Sequence, residues 1–236
     1  MEKGDVRMGE MLMGDASEAF DLPRLTVAIQ AGGESKRMGR SKATVPFCGR
    51  PLICRLVEWV DPIADEILIT TNEPENLGFL DEMPQAPKIR LQRDLLDFRG
   101  SLAGLLTALT VATHDYVAVV ACDMMDVSAN VLAAELECAV RGGHDVVVPV
   151  NDQGFEPFHA IYRRKPCLEF VRRSLDAGKT SMKTVSTSTE LDVRRFTMDE
   201  VFAAEPRGGC FANCNTPEEL RRAEERVLGL RGERAS

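Results

Sequence analysis

Between Leu25 and Lys42 the chain reads L-T-V-A-I-Q-A-G-G-E-S-K-R-M-G-R-S-K. A short apolar run, Val27 to Ile29, gives way at Ala31-Gly32-Gly33 to a polar loop with four cations, Lys36, Arg37, Arg40 and Lys42, against one acid, Glu34. Glycines let backbone N–H groups come close to an anion, and successive N–H groups form a concave nest for phosphate. The cations would neutralise what the nest holds. The chain as a whole has a net charge of −8, so this basic knot is local and calls for an anionic ligand. It is neither a Walker A loop nor the dinucleotide fingerprint G-x-G-x-x-G.

A second chemical feature is Asp123, which closes the apolar run Y-V-A-V-V-A-C. A carboxylate at the end of a buried strand, opposite a phosphate nest, is suited to share Mg²⁺ with a nucleotide. Asp126 competes for that role, and either acid could instead cap a following helix. Gly100-Ser-Leu-Ala-Gly104 opens an apolar helix with small residues. Its start would either offer free N–H groups and partial positive charge to a ligand or pack closely on a sheet.

These groups need a scaffold, and the hydrophobic pattern supplies one. Strands are predicted at residues 25–30, 66–71, 88–92, 116–122 and 145–150, with helices at 51–60, 101–112 and from Ser128 to about Arg141. Pro51 is placed in the first turn of its helix. This β-α-β-α order implies a mostly parallel sheet with helices on both faces, where ligands bind at the carboxyl ends of the strands. Gly32-Gly33, Asn72, Asp94 and Asp123 all fall at such ends. Beyond residue 150 the order loosens. Residues 158–163 read as a strand returning to the sheet, 166–177 as a helix stopped by Gly178, 191–196 as an edge strand and 211–215 as a short extended piece. A last helix starts with Thr216 as N-cap, Pro217 next and Glu219 completing a capping box.

G-G-x-S-x-R-M-G-x-x-K directly after a strand resembles the signature loop of nucleotidyltransferases, and most of all that of the molybdenum cofactor guanylyltransferases. Further segments resemble the same family: Cys122-Asp123-Met-Met125, with Met125 in place of Pro; Gly100 to Gly104, with Ser101 in place of Pro; Glu156-Pro-Phe-His-Ala160; Ala177-Gly-Lys-Thr-Ser-Met182; and Phe211-Ala-Asn-Cys-Asn-Thr-Pro-Glu-Glu-Leu220. The resemblance spans residues 25–220. Ser41 stands where the family commonly has Asp, and Gln30 where Leu is usual.

The resemblance implies a Rossmann-like three-layer α/β/α nucleotidyltransferase fold. It implies Mg²⁺-dependent transfer of GMP from GTP to the phosphate of molybdenum-bound molybdopterin. Arg37, Lys42 and Asp123 would be catalytic, with Asp123 holding the metal. Ala31, Gly32, Gly33, Lys42, Asn72, Asp94 and Gly100 would bind the nucleotide, with Asp97 as a rival to Asp94. Asn213, Asn215 and Lys179 would bind the acceptor, although the two Asn also suit a capped helix start and Lys179 a solvated turn. His159 is either a proton shuttle or a core residue. A cytidylyl- or sugar-nucleotidyltransferase on the same fold, or a nucleotide-binding accessory protein, are the alternatives.

Bulk properties bound the reading. The 236 residues suit one domain, taken as 24–228, with a nucleotide half at 24–125 and an acceptor half at 126–228. Residues 1–23 read as a disordered leader without the apolar core of a secretory signal, and 229–236 as a frayed tail. The negative charge argues against nucleic acid and anionic membrane surfaces, and no apolar run could cross a bilayer. Seven irregularly spaced cysteines read as reduced, mostly buried thiols of a cytoplasmic protein. Expected partners are GTP, a molybdopterin-type acceptor, and cofactor-synthesis proteins or molybdoenzyme chaperones.

Overall fold

Along the first strand, β1 (Leu25–Gln30), successive side chains leave on opposite faces, as the period of two requires. Val27 and Ile29 enter one apolar layer and Ala28 the other. Every side chain from Leu25 to Ile29 is buried, which is the mark of a strand covered on both faces.

The computed structural model describes residues 21–32, 42–96, 100–214 and 216–234. After β1 come a two-residue hairpin, β2 (Pro46–Phe47) and β3 (Arg50–Pro51), then α1 (Leu52–Val60), β4 (Glu66–Thr70), a 3₁₀ segment (Pro74–Glu82) and β5 (Ile89–Gln92). Next are α2 (Ser101–Val111), β6 (Tyr116–Ala121), α3 (Ala129–Gly142), β7 (Val146–Asn151), β8 (Gly154–Phe155) and β9 (His159–Arg163). The chain continues through α4 (Arg164–Asp176), α5 (Lys183–Ser186), β10 (Val193–Thr197), α6 (Met198–Ala204) and α7 (Pro217–Arg234). The main sheet runs β10-β7-β9-β6-β1-β4-β5, with β8 paired to β7. Pairings around β1, and between β10 and β7, are parallel; β9 runs antiparallel between β6 and β7.

Helices cover both faces, giving the three-layer α/β/α fold. On one face α1 and α3 bury Leu56, Val57, Val131 and Leu136 against Ile29, Ile69 and Val120. On the other, α2 and α4 bury Leu105, Leu109, Phe170 and Val171 against Ala28, Leu68 and Val119. The expected strand and helix bounds hold to within two residues, with small departures. Pro51 lies outside α1 in extended conformation (φ −52°, ψ 136°), because it already pairs in the hairpin. Residues 211–214 form only one isolated bridge, Met124 to Asn213, rather than a strand. The hairpin, the 3₁₀ segment, β8, α5 and α6 were not predicted. None of the seven cysteines is in a disulfide. No helix among the described residues is long and apolar enough to cross a membrane.

At the amino ends of the strands sits one buried acid. Glu66 is 8% exposed and accepts hydrogen bonds from the Thr26 hydroxyl (2.7 Å) and from the N–H (3.0 Å) and hydroxyl (2.8 Å) of Thr113. Arg90 pairs with its other oxygen at 2.8 Å. Burial pushes the Glu66 carboxyl up, but the bonds from Thr113 and Thr26 and the charge of Arg90 outweigh it and hold the group below its ordinary value. A carboxylate of this kind stabilises the fold above its unfolded pKa and stops doing so as pH falls through the lowered folded value. Glu66→Leu is expected to cost about 1–3 kcal/mol at neutral pH, the scale for donors left unpaired inside a protein. Urea denaturation over a pH series should show the gap from the parent protein narrowing below about pH 4.5, the group's ordinary pKa. A gap that persists in acid would assign the loss to packing instead.

Candidate active site

The parallel ladder does not stop at the strand ends. Ala31 N–H donates to the Thr70 carbonyl (2.8 Å), Thr71 N–H to the Gln92 carbonyl (2.9 Å) and Cys122 N–H to the Gln30 carbonyl (3.0 Å). These bonds carry four chain segments out of the sheet side by side, which brings Gly32, Asn72, Asp94 and Asp123 to one edge.

Gly32, Asn72 and Asp94 meet directly. A Cβ built on Gly32 would lie 2.9 Å from Asp94 Oδ2 and 3.8 Å from Asn72 Nδ2. Asp94 is half-buried and lies within hydrogen-bonding reach of the Asn72 amide and of Thr107 on α2, whose hydroxyl accepts from the Leu95 N–H (3.0 Å) and donates to the Ala103 carbonyl (3.2 Å). Burial raises the Asp94 carboxyl above the ordinary value, and those two neighbours pull it back only partly. Among the described residues its buried Oδ1 has no hydrogen-bond partner. An acceptor held ready without a donor is what a site for a base or ribose offers. Thr107 went unrecognised from sequence; its signal was a lone hydroxyl in the apolar stretch 102–109.

Gln30, two residues before Gly32 and on the same side of β1, also has a buried orphan, its amide Nε2. Its carboxamide lies against α2, where a Cβ on Gly104 would come within 2.7 Å of Oε1. Gly100 meets a different neighbour. The loop after α4 docks on the start of α2: Leu102 N–H donates to the Thr180 carbonyl (3.0 Å) and Met182 N–H to the Ser101 hydroxyl (3.1 Å). That loop presents Lys179 exposed beside the helix start.

Asp123 lies where a second segment is zipped onto the edge. Cys214 N–H donates to the Asp123 carbonyl (2.9 Å) and Met125 N–H to the Ala212 carbonyl (3.0 Å). The exposed Asn213 is thereby held beside Asp123 by these backbone bonds. Thr216 and Glu219 then exchange the two bonds of a capping box at the start of α7 (3.0 and 3.2 Å). Farther along α7, Glu224 accepts from the N–H of Cys48 in the hairpin (2.6 Å). Asp126 has other company: burial raises its carboxyl, opposed by Arg207 and Arg226 and reinforced by Glu205. It belongs to an ionic cluster under α6 and α7.

His159 is wholly buried, with Nδ1 3.2 Å from the equally buried Glu135 carboxylate and the Phe211 ring edge-on at 5.2 Å. Burial pushes the Glu135 carboxyl up to about 7, with His159 opposing. This is a core pair beneath the Phe211 segment, with no route to an exposed substrate. Gly33, Arg37, Asp97 and Asn215, and the side chain of Lys42, lie outside the described residues; Lys42 itself begins a 3₁₀ turn, Lys42–Thr44.

A doubly covered, mostly parallel sheet with Gly32, a carboxylate and a second docked motif along its carboxyl edge fits a nucleotidyltransferase, the class that the comparisons with known proteins establish. Residues 27–191 match the model of the MobA-like NTP transferase domain. The chain belongs to that family. It is 36% identical over 205 residues to a molybdenum cofactor guanylyltransferase of Desulfosudis oleivorans, covering 86% of this chain and 96% of the relative. Among solved structures it superimposes on molybdopterin-guanine dinucleotide biosynthesis protein A of Archaeoglobus fulgidus with a TM-score of 0.72 and 26% identity, covering 86% of this chain and 99% of that one. The fold alone is shared with 4-diphosphocytidyl-2C-methyl-D-erythritol synthase of Anaerococcus prevotii, at a TM-score of 0.66 and 13% identity over 88% of this chain and all (100%) of that one.

The close approach of Gly32 to Asp94 generates a prediction. Gly32→Ala would drive a methyl into Asp94 Oδ2 while leaving the core untouched. Nucleotide affinity should fall about tenfold or more, since small displacements of positioning groups are expensive. Thermal stability should stay within about 0.5–1 kcal/mol of the parent, as for a surface change. Calorimetric titration with nucleotide beside a melting curve checks both.

Proposed function

We propose that the chain transfers GMP from GTP to the phosphate of molybdenum-bound molybdopterin, in the cytoplasm and with Mg²⁺, making the guanine dinucleotide cofactor and pyrophosphate. The observation that carries this reading is the backbone zipper of 212–214 onto 123–125, which sets Asn213 next to Asp123. A donor edge and an acceptor motif held in one place suit the joining of two phosphates.

An oxygen of the acceptor's phosphate attacks the α-phosphorus of GTP; the new P–O bond forms as the bond to the β-phosphate oxygen breaks, and pyrophosphate leaves. No side chain need act as a nucleophile, because the acceptor brings its own. Catalysis is then positioning and charge stabilisation. Gly32 and Gly33 cradle the triphosphate, and Arg37 and Lys42 take up the charge gathering on pyrophosphate. Ala31, Asn72, Asp94 and Gly100 seat the nucleoside. Asn213 and Asn215 bind the acceptor, with Lys179 meeting its phosphate.

Asp123 would be the residue to hold Mg²⁺, which when bound would supply positive charge to offset that of the phosphates. The donor set fits that ion: it commonly takes one or two carboxylates and completes its shell from phosphates and water. No cluster of three ligating side chains occurs among the described residues. The product would pass to cofactor-synthesis proteins or molybdoenzyme chaperones.

The test is pyrophosphate release with each nucleoside triphosphate and the molybdopterin acceptor. Release with GTP alone among them supports the reading; release with CTP would make the protein a cytidylyltransferase, and none with any nucleotide an accessory protein. Two variants probe the parts. Asp123→Asn should lower turnover at least about a hundredfold and weaken the response to Mg²⁺, whereas Asp126→Asn should act mainly on stability. Lys42→Ala should cut turnover by a similar factor with the melting temperature unchanged.

A further inference from the structure

We propose that Glu224 is a positioning residue: by holding the strained turn at Cys48 it fixes the backbone that carries Lys42, and so makes the last helix a strut between the two halves of the site. The inference rests on the guanylyl-transfer reading above and on the role given there to Lys42.

The strain lies in the hairpin. β2 and β3 are joined by Cys48 and Gly49 alone, and Phe47 pairs directly with Arg50. Both joining residues have positive φ, 48° and 77°. That is the requirement of a type I′ turn, which favours Asn-Gly or Gly-Gly, because an ordinary side chain in the left-handed region crowds its own backbone. Among the described residues Cys48 is the one residue other than glycine with positive φ. A strained conformation persists only where its surroundings over-determine it. Here they do. The Cys48 N–H donates to the Glu224 carboxylate on α7 (2.6 Å), and the Cys48 carbonyl accepts from Arg55 on α1 (3.2 Å). Arg55 is in turn paired with Glu58 at 3.0 Å. A bond from an N–H to a charged carboxylate is short and stronger than one between neutral groups.

What the turn carries is the end of the signature loop. The 3₁₀ turn Lys42–Thr44 runs straight into the hairpin, and the Val45 carbonyl accepts from the Leu52 N–H (2.9 Å). Ala43, Val45 and Phe47 are buried, the last with its ring edge-on to Trp59 of α1 at 6.1 Å. The chain from Lys42 to Cys48 is therefore pinned along its length, and a turn that relaxed at Cys48 would move it as a piece.

The same helix reaches the other half of the site. Leu220, Ala223 and Val227 lay one stripe of α7 on the main core, and Glu224 follows Ala223 half-buried. Through Thr216 the helix begins at the segment zipped onto Asp123. Arg226 faces the charge of Asp126 and stands 3.2 Å from where a Cβ on Gly209 would lie. One element thus braces the Lys42 side at Glu224 and the Asp123 side at Thr216 and Arg226.

The experiment is a set of double-mutant cycles on the full chain, read by pyrophosphate release and by melting curves. It uses the nucleoside triphosphate that the parent turns over, so that a wrong base leaves the comparison intact. Glu224→Ala is expected to lower kcat at least about tenfold well below its melting temperature, with the nucleotide KM within about threefold of the parent, because Lys42 meets charge that gathers only as pyrophosphate leaves. Glu224→Gln, whose amide oxygen still accepts the Cys48 N–H, should stay within about threefold of the parent. Adding Glu224→Ala to Lys42→Ala should cost no more than about twofold further, since the two act as a unit. In a Cys48→Gly background, where the turn is free of strain, the loss from Glu224→Ala should shrink below about threefold.

A folded Glu224→Ala protein with the parent's kcat overturns the proposal. So does a loss that adds fully to that of Lys42→Ala or is unchanged by Cys48→Gly, and so does a Glu224→Ala protein that fails to fold even with Cys48→Gly; each would make the bond a support of the whole fold. Parent-like turnover in Lys42→Ala removes the role of Lys42, and this proposal with it, while the guanylyl-transfer reading stands. No release by the parent with any nucleotide overturns both.

Discussion

The register of four parallel strands is the constraint on which the rest of this molecule depends. β5, β4, β1 and β6 are joined so that Gln30, Thr70 and Gln92 come level, and the ladder runs one bond past each strand before the chains part. A slip of one residue at any pairing would send the buried side chains of that strand to the opposite face. It would also carry Asp94 or Asp123 away from the edge that Gly32 occupies. Apolar packing on both faces, through α1 and α3 on one side and α2 and α4 on the other, fixes that register. The position of the polar edge is thus set by hydrophobic residues that never touch a ligand.

The two ends of the same strands are treated differently. At the amino end Glu66 is surrounded by donors from Thr26, Thr113 and Arg90, which tie three elements together. At the carboxyl end Asp94 and Gln30 keep atoms without partners, and glycines at 32 and 104 leave room where other residues would fill it. Stability is concentrated where nothing has to enter. The incomplete end has a cost in orphaned polar atoms, and proteins tolerate such atoms chiefly where a bound molecule completes them.

Much of this was legible in the sequence because the information is local. Short apolar runs leading to Gly32, Asn72 and Asp123 mark buried parallel strands and their carboxyl ends, and Ser128 and Thr216 announce their helices. What could not be read depends on partners distant in the chain. The segment 211–214 looks like a strand on pattern, yet its backbone pairs only over the short stretch 123–125 and stays a bridge. The Lys179 loop gives no hint that it docks on α2. His159 could be exposed or buried until Glu135, on a helix 24 residues earlier, is known to face it. Thr107 looks like one more helical residue until Asp94 is set above it. The glycine loop was plain as a motif; Gly33, Arg37 and Asn215 lie outside the described residues.

The hydrogen bond from Cys48 to Glu224 spans 176 residues. Together with the zipper between 212–214 and 123–125, it means that the final third of the chain closes an edge begun in the first fifth. Contacts of such separation form late, since loop closure must precede any reward from them. On a ribosome the sheet from β1 to β6 can assemble while the last segments are still being made, but Asp123 acquires its neighbour Asn213 only once residues past 214 have emerged. That edge is complete only once the last segments have been made, so its assembly is timed by translation as well as by folding.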